Sequence, residues 1–371
     1  MHKSVCEEVV GGILCMEGRV VRITTIFMVV FTIMVGITLF YLPNLHASQV
    51  ANQEEQVVSA GNKSDAEVVN VDMAAQVGME ESIDFPQQLR IALPEGVTEQ
   101  DVTITNQYIT QTIDIVFPNV DENYLYNYPI MGRSNNIDNL TFESEKNQGV
   151  IEITLDKVFE VQSTFADGYL YIDFLAPHDI YDKVVVIDAG HGGRMPGATI
   201  QNKCEKDIDL AIVLQLKQIF EENPNDKIGI YYTRTDDSNP SFEQRVELAN
   251  KADADIFISV HNNSTVSGKM SSVNGTAVMY DELREETPQG TKALAQICVD
   301  EVSGVLGSRN RGIINGNEIY IIRNSKVPVA LIEVGFMTNQ AELNNLTSED
   351  YQKKAAQGIY NAIMRAFNEG F

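Results

Sequence analysis

The stretch VVVIDAGHGG, residues 184–193, decides the fold class because a β-branched run leads directly into a histidine flanked by glycines. A short apolar run that ends in a Gly-rich turn predicts a buried strand. His191 would then lie just beyond the carboxyl end of that strand, where open α/β sheets bind ligands. Gly190, Gly192 and Gly193 permit a tight turn and leave space around the imidazole. The G-H-G-G spacing fits neither a dinucleotide fingerprint nor a phosphate-binding P-loop.

Predicted strands and helices alternate from this stretch to the end of the chain. This alternation indicates an α/β fold, with a twisted and mostly parallel sheet flanked by helices. The predicted strands cover residues 183–187, 228–233, 255–260, 276–280, 318–322 and 329–333. The predicted helices cover residues 207–220, 242–252, 289–305 and 348–367.

Two more strands end in residues that carry chemistry. DIFISVHNN runs a strand into His261, and PVALIEVGF places Glu333 near the end of an apolar strand. The helix that begins near CEKDIDLA brings Glu205 to the same edge of the sheet. Two imidazoles and one carboxylate with an open position make a catalytic zinc site, and a second carboxylate would accept a proton from water.

Each of these residues also has an individual structural interpretation. His191 alone would be a hydrogen-bonded structural residue, and Glu205 alone a carboxylate stabilised by the helix dipole. Glu333 alone would be a buried ion-pair partner of Arg311 or Arg323, because an unpaired buried carboxylate is costly. Their coincidence at one sheet edge favours the metal site. The remaining histidines, His2, His46 and His178, have no such neighbours.

The charge balance excludes some classes of partner. The 371 residues include 52 acidic and 27 basic side chains, for a net charge of −25. Such an acidic chain is unsuited to nucleic acid, whose phosphates need clustered Lys and Arg. It also has no electrostatic attraction to anionic lipid.

Residues 23–42 contain no charged side chain, and a helix of that length crosses a bilayer. Arg19 and Arg22 precede this span, and the next Lys or Arg is Lys63, so the positive-inside rule predicts a cytoplasmic tail at 1–22. The chain would be a single-pass protein of the cell membrane with its catalytic part outside. In the alternative, a signal peptide is cleaved near Ala47 and the protein is secreted to the cell wall.

The region between this span and the α/β part divides in two. Residues 43–84 are rich in Gln, Glu, Asn, Ser, Ala and Val, a composition typical of a flexible linker. Residues 85–177 show apolar residues at alternate positions, separated by Pro, Asn and Gly clusters, which predicts a small β-sandwich. Cys204 and Cys298 would pair only if adjacent, and two small buried residues are the favoured interpretation.

Residues 183–371 resemble the zinc-dependent N-acetylmuramoyl-L-alanine amidases of the type 3 family. IDAGHGG, CEKDIDLA and ISVHNN resemble the family's ligand motifs, and LIEVGFMTN resembles the strand that carries its catalytic glutamate. The resemblance thus assigns three metal ligands, His191, Glu205 and His261, and one catalytic residue, Glu333. TRTDD, RVELAN and IIRNSKVPVALIE occur between these motifs in the family's order. Asn262 departs from the pattern, since the family more often has Ala there.

The resemblance implies a peptidoglycan hydrolase that binds one Zn²⁺ and cleaves the amide between N-acetylmuramic acid and the L-alanine of the stem peptide. Glu333 would accept the proton of the zinc-activated water and pass it to the departing amine. Arg234 and Arg245 match arginine positions of the family. A structural salt bridge with Asp236 or Glu247 is favoured for them over a bond to a substrate carboxylate.

Several alternatives remain open. Residues 85–177 somewhat resemble the AMIN-type domains that accompany such amidases and bind the wall, but a plain spacer sandwich is the competing interpretation. The protein would otherwise be a wall-binding scaffold without turnover, or another zinc hydrolase of the wall such as a peptidase or a deacetylase. Some relatives carry a helix that plugs the zinc site. The 72 positions from His261 to Glu333 leave little room for one. Oligomeric state and the preferred stem peptide are undetermined.

Overall fold

The computed structural model describes residues 89–284 and 286–371, which fall within one compact unit. They form a β-domain followed by an α/β domain. Among the described residues, no helix is both long and apolar enough to cross a membrane. Several predictions concern residues outside this range: the tail 1–22, the span 23–42, the linker 43–84, His2 and His46.

The β-domain contains eight strands in two four-stranded antiparallel sheets, ordered β4-β1-β8-β7 and β2-β3-β6-β5. Alternate residues point inward, so that Ile113, Ile115 and Phe117 of β3 are fully buried. Side chains of both sheets share one apolar core, as expected for a sandwich. The strands are β1 (Leu89–Ala92), β2 (Thr103–Gln107), β3 (Thr112–Pro118), β4 (Met131–Gly132), β5 (Ile137–Glu145), β6 (Gln148–Leu155), β7 (Glu160–Ala166) and β8 (Tyr169–Leu175). Two short helices, α1 (Tyr124–Asn127) and α2 (Pro177–Ile180), accompany them.

The α/β domain is built on a six-stranded mixed sheet ordered β12-β9-β13-β16-β14-β15. Only the pairing of β14 with β16 is antiparallel in this sheet; the other neighbours are parallel. Its strands are β9 (Lys183–Ala189), β12 (Ile228–Tyr232), β13 (Ile256–Asn263), β14 (Thr276–Tyr280), β15 (Asn310–Asn315) and β16 (Val329–Phe336), with β10 (Thr199–Ile200) and β11 (Lys203–Cys204) as a separate small hairpin. The helices are α3 (Glu205–Glu222), α4 (Phe242–Lys251), α5 (Thr291–Leu306), α6 (Tyr320–Asn324), α7 (Gln340–Leu346) and α8 (Glu349–Asn368).

Helices cover both faces of the sheet, because strands buried on two sides need an apolar layer on each. On one face α3 and α5 pack against the sheet and against α8. The other face is covered by α4 and α6. The periodic side chains of α3 point into the first layer, and each contributes about 1.5–3 kcal/mol by burial. These side chains are Ile208, Ile212, Leu216 and Ile219.

One predicted strand is wrong. Residues 318–322 do not form a strand, because α6 occupies Tyr320–Asn324 and buries Ile321 and Ile322 against the core. A short apolar run does not distinguish a strand from a helix, and here the neighbouring layer decided. The strand of this region is β15, at the sheet edge, whose half-exposed residues show no alternation of polarity.

The β-domain packs against the face of the sheet covered by α4. Glu160 accepts hydrogen bonds from the hydroxyls of Tyr108 (2.7 Å) and Tyr231 (2.6 Å), whose rings meet edge to face at 4.9 Å. Val158 joins the apolar layer of the α/β domain, and its amide donates to the carbonyl of Lys251. Apolar contact and bonded polar groups thus connect the two domains.

Candidate metal centre and active site

The four predicted site residues meet at one edge of the sheet. His191 follows the carboxyl end of β9, and His261 is near the end of β13. Glu333 lies in the carboxyl-terminal half of β16, which continues to Phe336 beyond the predicted strand end. Glu205 is the first residue of α3, two positions earlier than the predicted helix start. Since β9 and β16 both pair in parallel with β13, all three strands deliver these side chains to the same edge.

Glu205 lies between the two histidines. Its Oε1 is 3.1 Å from Nε2 of His191 and 3.0 Å from Nδ1 of His261, and the imidazole centroids are 4.9 Å apart. The amide of Ala198 donates to Oε2 at 2.8 Å, and the amide of Asn262 donates to Oε1 at 3.2 Å. The carboxylate is therefore held in one orientation, with one oxygen presented to both rings.

The charge state of Glu205 follows from these contacts. Burial raises the pKa of its carboxyl, but the hydrogen bonds and charges of His191 and His261 outweigh burial. The net effect lowers the pKa, so the carboxylate is ionised at neutral pH. A buried anion with two imidazole nitrogens at its oxygen matches the donor set of a cation site.

Two backbone features make this geometry possible. Gly190 has the imidazole of His261 against it, because an added Cβ would lie 2.3 Å from Cε1 of that ring. The space that the sequence predicted beside Gly190 is thus occupied by the imidazole of His261. His191 itself adopts a left-handed conformation with φ of 59°, which costs about 1–2 kcal/mol for a residue with a Cβ. Surrounding contacts must therefore maintain that conformation.

Glu333 lies beside the ligand group. It is the register partner of His261 on the neighbouring strand, so both side chains project from the same face of the sheet. Its Oε2 is buried and finds no hydrogen-bond partner among the described residues. Burial and the nearby Glu205 raise the pKa of Glu333 to about 8. A cation held by the neighbouring ligands would favour the ionised form.

Asp209 belongs to the site and was not predicted. One helical turn after Glu205 on α3, it is fully buried, and its Oδ1 accepts a hydrogen bond of 2.7 Å from Nδ2 of Asn262. Burial and Glu205 raise its pKa well above the usual range. The i, i+4 spacing from Glu205 was a usable sequence signal. Asn262, the departure from the family pattern, is thus the partner of this carboxyl.

The residues fit a metal ion by their donor chemistry. Four side chains, His191, Glu205, Asp209 and His261, each offer one donor atom, and these atoms all lie within 4.8 Å of one another. Two imidazole nitrogens with carboxylate oxygen suit Zn²⁺ better than Ca²⁺ or Mg²⁺, which prefer oxygen ligands alone.

The two candidate arginines are buried and bonded to other protein groups, which indicates a structural role. Arg234 and Arg245 are 3% and 2% exposed, and neither makes the predicted salt bridge. Arg234 bonds the carbonyl of Asp236 rather than its carboxylate, and Arg245 pairs with Asp188 rather than Glu247. The alternative interpretation of Glu333 as an ion-pair partner is also wrong, because within the described residues no ion pair joins it to Arg311 or Arg323. His178 lies away from the site with Nε2 at 2.8 Å from the carbonyl of Asp253, and Cys204 and Cys298 are unpaired.

The site is open to solvent on its outer side. The His191 side chain is 28% exposed, against 8% for Glu205. Residues 264–275, which connect β13 to β14 within the described chain, contain no helix. The elements between His261 and Glu333 are β14, α5, β15 and α6.

Comparisons with known proteins show which family this chain resembles. Residues 185–365 match a family described as N-acetylmuramoyl-L-alanine amidase. The uncharacterised protein YqiI of Bacillus subtilis (strain 168) is 35% identical over 51% of this chain and 86% of its own length. The germination-specific N-acetylmuramoyl-L-alanine amidase of the same organism is 30% identical over 50% of this chain and 81% of its own length. The N-acetylmuramoyl-L-alanine amidase from Clostridium difficile 630, known from a crystal structure, shares 31% sequence identity with this chain. The match covers 51% of this chain and 98% of that one, with a TM-score of 0.47.

Fold and site together define an α/β protein with a group of His, Glu and Asp side chains, of the kind that can hold a metal ion, at the carboxyl edge of a mixed sheet. The chain belongs to the N-acetylmuramoyl-L-alanine amidase family, and its catalytic domain is the carboxyl-terminal half. It is a hydrolase of the cell-wall peptidoglycan.

Proposed function

We propose that this amidase cleaves the amide between the lactyl group of N-acetylmuramic acid and L-alanine, with Zn²⁺ bound by His191, Glu205 and His261. The single observation that carries the proposal is the convergence of two imidazole nitrogens on one oxygen of Glu205, beside Glu333. When bound, the zinc polarises the scissile carbonyl and acidifies water.

The chain's own residues have separate tasks in this reaction. Glu205, ionised and fixed by two backbone amides, holds both imidazoles in position. Glu333 accepts the proton of the attacking water and delivers it to the nitrogen of the departing L-alanine amine. Its unbonded Oε2 is available for that proton. The partly exposed side chain of His191 marks the side from which the glycan strand would approach.

The reaction is tested on purified cell-wall sacculi incubated with the whole protein. An amidase releases free amino groups on alanine and leaves the lactyl carboxylates on the glycan. Released acetate would instead identify a deacetylase, and newly split stem peptides a peptidase. Binding to sacculi with no product at all, from zinc-loaded protein, would identify a scaffold. Each of these three outcomes contradicts the proposal.

We further propose that the catalytic domain needs no activating protein. This proposal is supported by residues 264–275, which carry no helix in the described chain, and by the exposed edge of His191. Residues 183–371 expressed alone should cleave sacculi. Cleavage that depends on an added partner protein would contradict this expectation.

The proposal for location is a single-pass membrane protein with the catalytic domain outside the cell. It rests on the uncharged residues 23–42 and on Arg19 and Arg22 before them. In cells stripped of wall, the protein should sediment with membranes, and protease added outside should digest its catalytic domain. A mature protein that begins near Ser48 would show cleavage of a signal peptide instead.

A further inference from the structure

Arg234 and Arg245 lie directly behind the candidate metal centre, and both guanidinium groups are buried. Arg234 follows β12 closely, and Arg245 is in the first turns of α4. A buried guanidinium is unfavourable unless its donors are bonded, so the positions of its acceptors are tightly specified. No substrate group can reach either side chain.

Arg234 donates its bonds to backbone carbonyls. Two acceptors belong to the residues just before His191, and a third belongs to the residue just after Glu205. One guanidinium therefore joins the turn that carries the first ligand to the helix start that carries the second. The four acceptors, at 2.7–2.9 Å, are the carbonyl oxygens of Ala189, Gly190, Lys206 and Asp236.

Arg245 bonds the same turn from the other side. Its Nη2 donates to the carbonyl of His191 at 2.6 Å, and its Nη1 donates to the carbonyl of Ala189 at 2.7 Å and to Oδ1 of Asp188. The carbonyl of Ala189 thus accepts from both arginines. The left-handed backbone of His191 is held by a charge-assisted bond to its own carbonyl.

Asp188 connects this arrangement to the sheet. Its Oδ1 accepts a bond of 2.6 Å from the hydroxyl of Thr233, and its Oδ2 accepts one of 2.6 Å from Ser259. Ser259 lies on β13, two residues before His261. The carboxylate also compensates the charge of Arg245. All three predicted ligands are therefore tied to one buried network.

We infer that Arg234 and Arg245 are positioning residues that set the backbone of the metal-binding turn, and thereby the affinity of the site for zinc. The inference rests on the proposed function, since it concerns the metal of that reaction. Arg→Lys substitution retains the charge but loses the planar fork that bonds several carbonyls at once. Loss of such outer contacts typically weakens metal binding by about 10- to 100-fold.

The test is the zinc dissociation constant of metal-free protein, measured by competition with a chromophoric chelator. Arg234→Lys and Arg245→Lys should each raise it about 10- to 100-fold. Two variants serve as controls. Thr291→Val removes a buried hydroxyl that donates a hydrogen bond to the carbonyl of Val329, the first residue of β16. Arg365→Lys changes an arginine on α8 that pairs with Glu301 and Glu369.

The midpoint of thermal unfolding, measured on the same metal-free samples, separates positioning from general stability. Thr291→Val should lower the midpoint and leave zinc affinity unchanged. Arg234→Lys or Arg245→Lys variants that are destabilised but bind zinc as tightly as the parent would overturn the inference. If Arg245→Lys does not fold, Arg234→Lys decides, because its bonds go to carbonyls and leave the Asp188 pair intact. Failure of the parent protein to bind zinc would contradict the proposed function instead.

Discussion

Replacement of Glu333 by Gln separates proton transfer from metal binding. Gln keeps the shape of Glu, but its amide cannot accept the proton of water. The three proposed ligands, His191, Glu205 and His261, are unchanged in this variant. We therefore expect Glu333→Gln to retain zinc and to lose hydrolysis.

The magnitude follows from the position of the carboxyl. Glu333 lies beside the proposed ligands with Oε2 unbonded among the described residues, and Glu205 cannot replace it because both imidazoles hold that carboxylate. Loss of a general base typically costs about 10²–10⁴ in rate. This loss corresponds to about 3–5.5 kcal/mol in the activation barrier.

Zinc content by elemental analysis and turnover on sacculi should be measured side by side. Glu221→Gln is the matched control, because it makes the same change at an exposed position of α3, about 24 Å along the helix from Glu205. It should keep both zinc and activity. His191→Ala, Glu205→Ala and His261→Ala should lose both, since a site with three protein ligands has no spare.

Two results would refute this reasoning. If Glu333→Gln lost its zinc while remaining folded, Glu333 would be a ligand and the assigned roles would be wrong. If it kept turnover within a few-fold of the parent, another group would be the base. Thermal unfolding of each variant shows whether a loss reflects misfolding.

Four further outcomes are expected. Dialysis against a strong chelator should abolish hydrolysis, and added Zn²⁺ should restore it; activity in the stripped protein would exclude an essential metal. Asn262→Ala removes the bond to the buried Asp209 and should lower the free energy of unfolding by about 1–3 kcal/mol, as judged by urea denaturation. Tyr231→Phe loses the bond to Glu160 between the domains and should cost about 1.5 kcal/mol by the same measurement, and no loss would mean that this contact does not stabilise the pair. Burial raises the pKa of the Asp188 carboxyl, but Arg245 and the hydroxyls of Ser259 and Thr233 outweigh burial, so the net pKa is lowered. The stabilisation from this carboxylate is therefore present above the unfolded pKa of about 3.9 and is lost as pH falls through the lower folded pKa. Asp188→Asn should flatten this acid dependence of stability in metal-free protein.

Several local predictions are confirmed because they depend on short-range patterns. The run at 184–187 forms a fully buried strand, and the apolar spacing of α3 places its stripe against the sheet. Where packing between elements decides the secondary structure, the local pattern of apolar residues was insufficient to predict it. Residues 318–322 form part of a loop and of α6, because Ile321 and Ile322 are buried in the apolar layer beside α4. A short apolar run does not by itself distinguish such a helix from a strand. Helix α7 at Gln340–Leu346 was also missed.

The sequence by itself determined that His191, His261 and Glu333 lie towards the carboxyl ends of three strands at one edge of the sheet, because alternation of strand and helix makes those strands parallel. Strands β13 and β16 continue two and three residues beyond His261 and Glu333. Only the tertiary structure decided what surrounds them. Asp209 and the two buried arginines become part of the site through contacts between elements far apart in the chain. Hydrogen bonds of that kind depend on the distance and angle at which packed elements meet, and periodicity along a sequence contains neither.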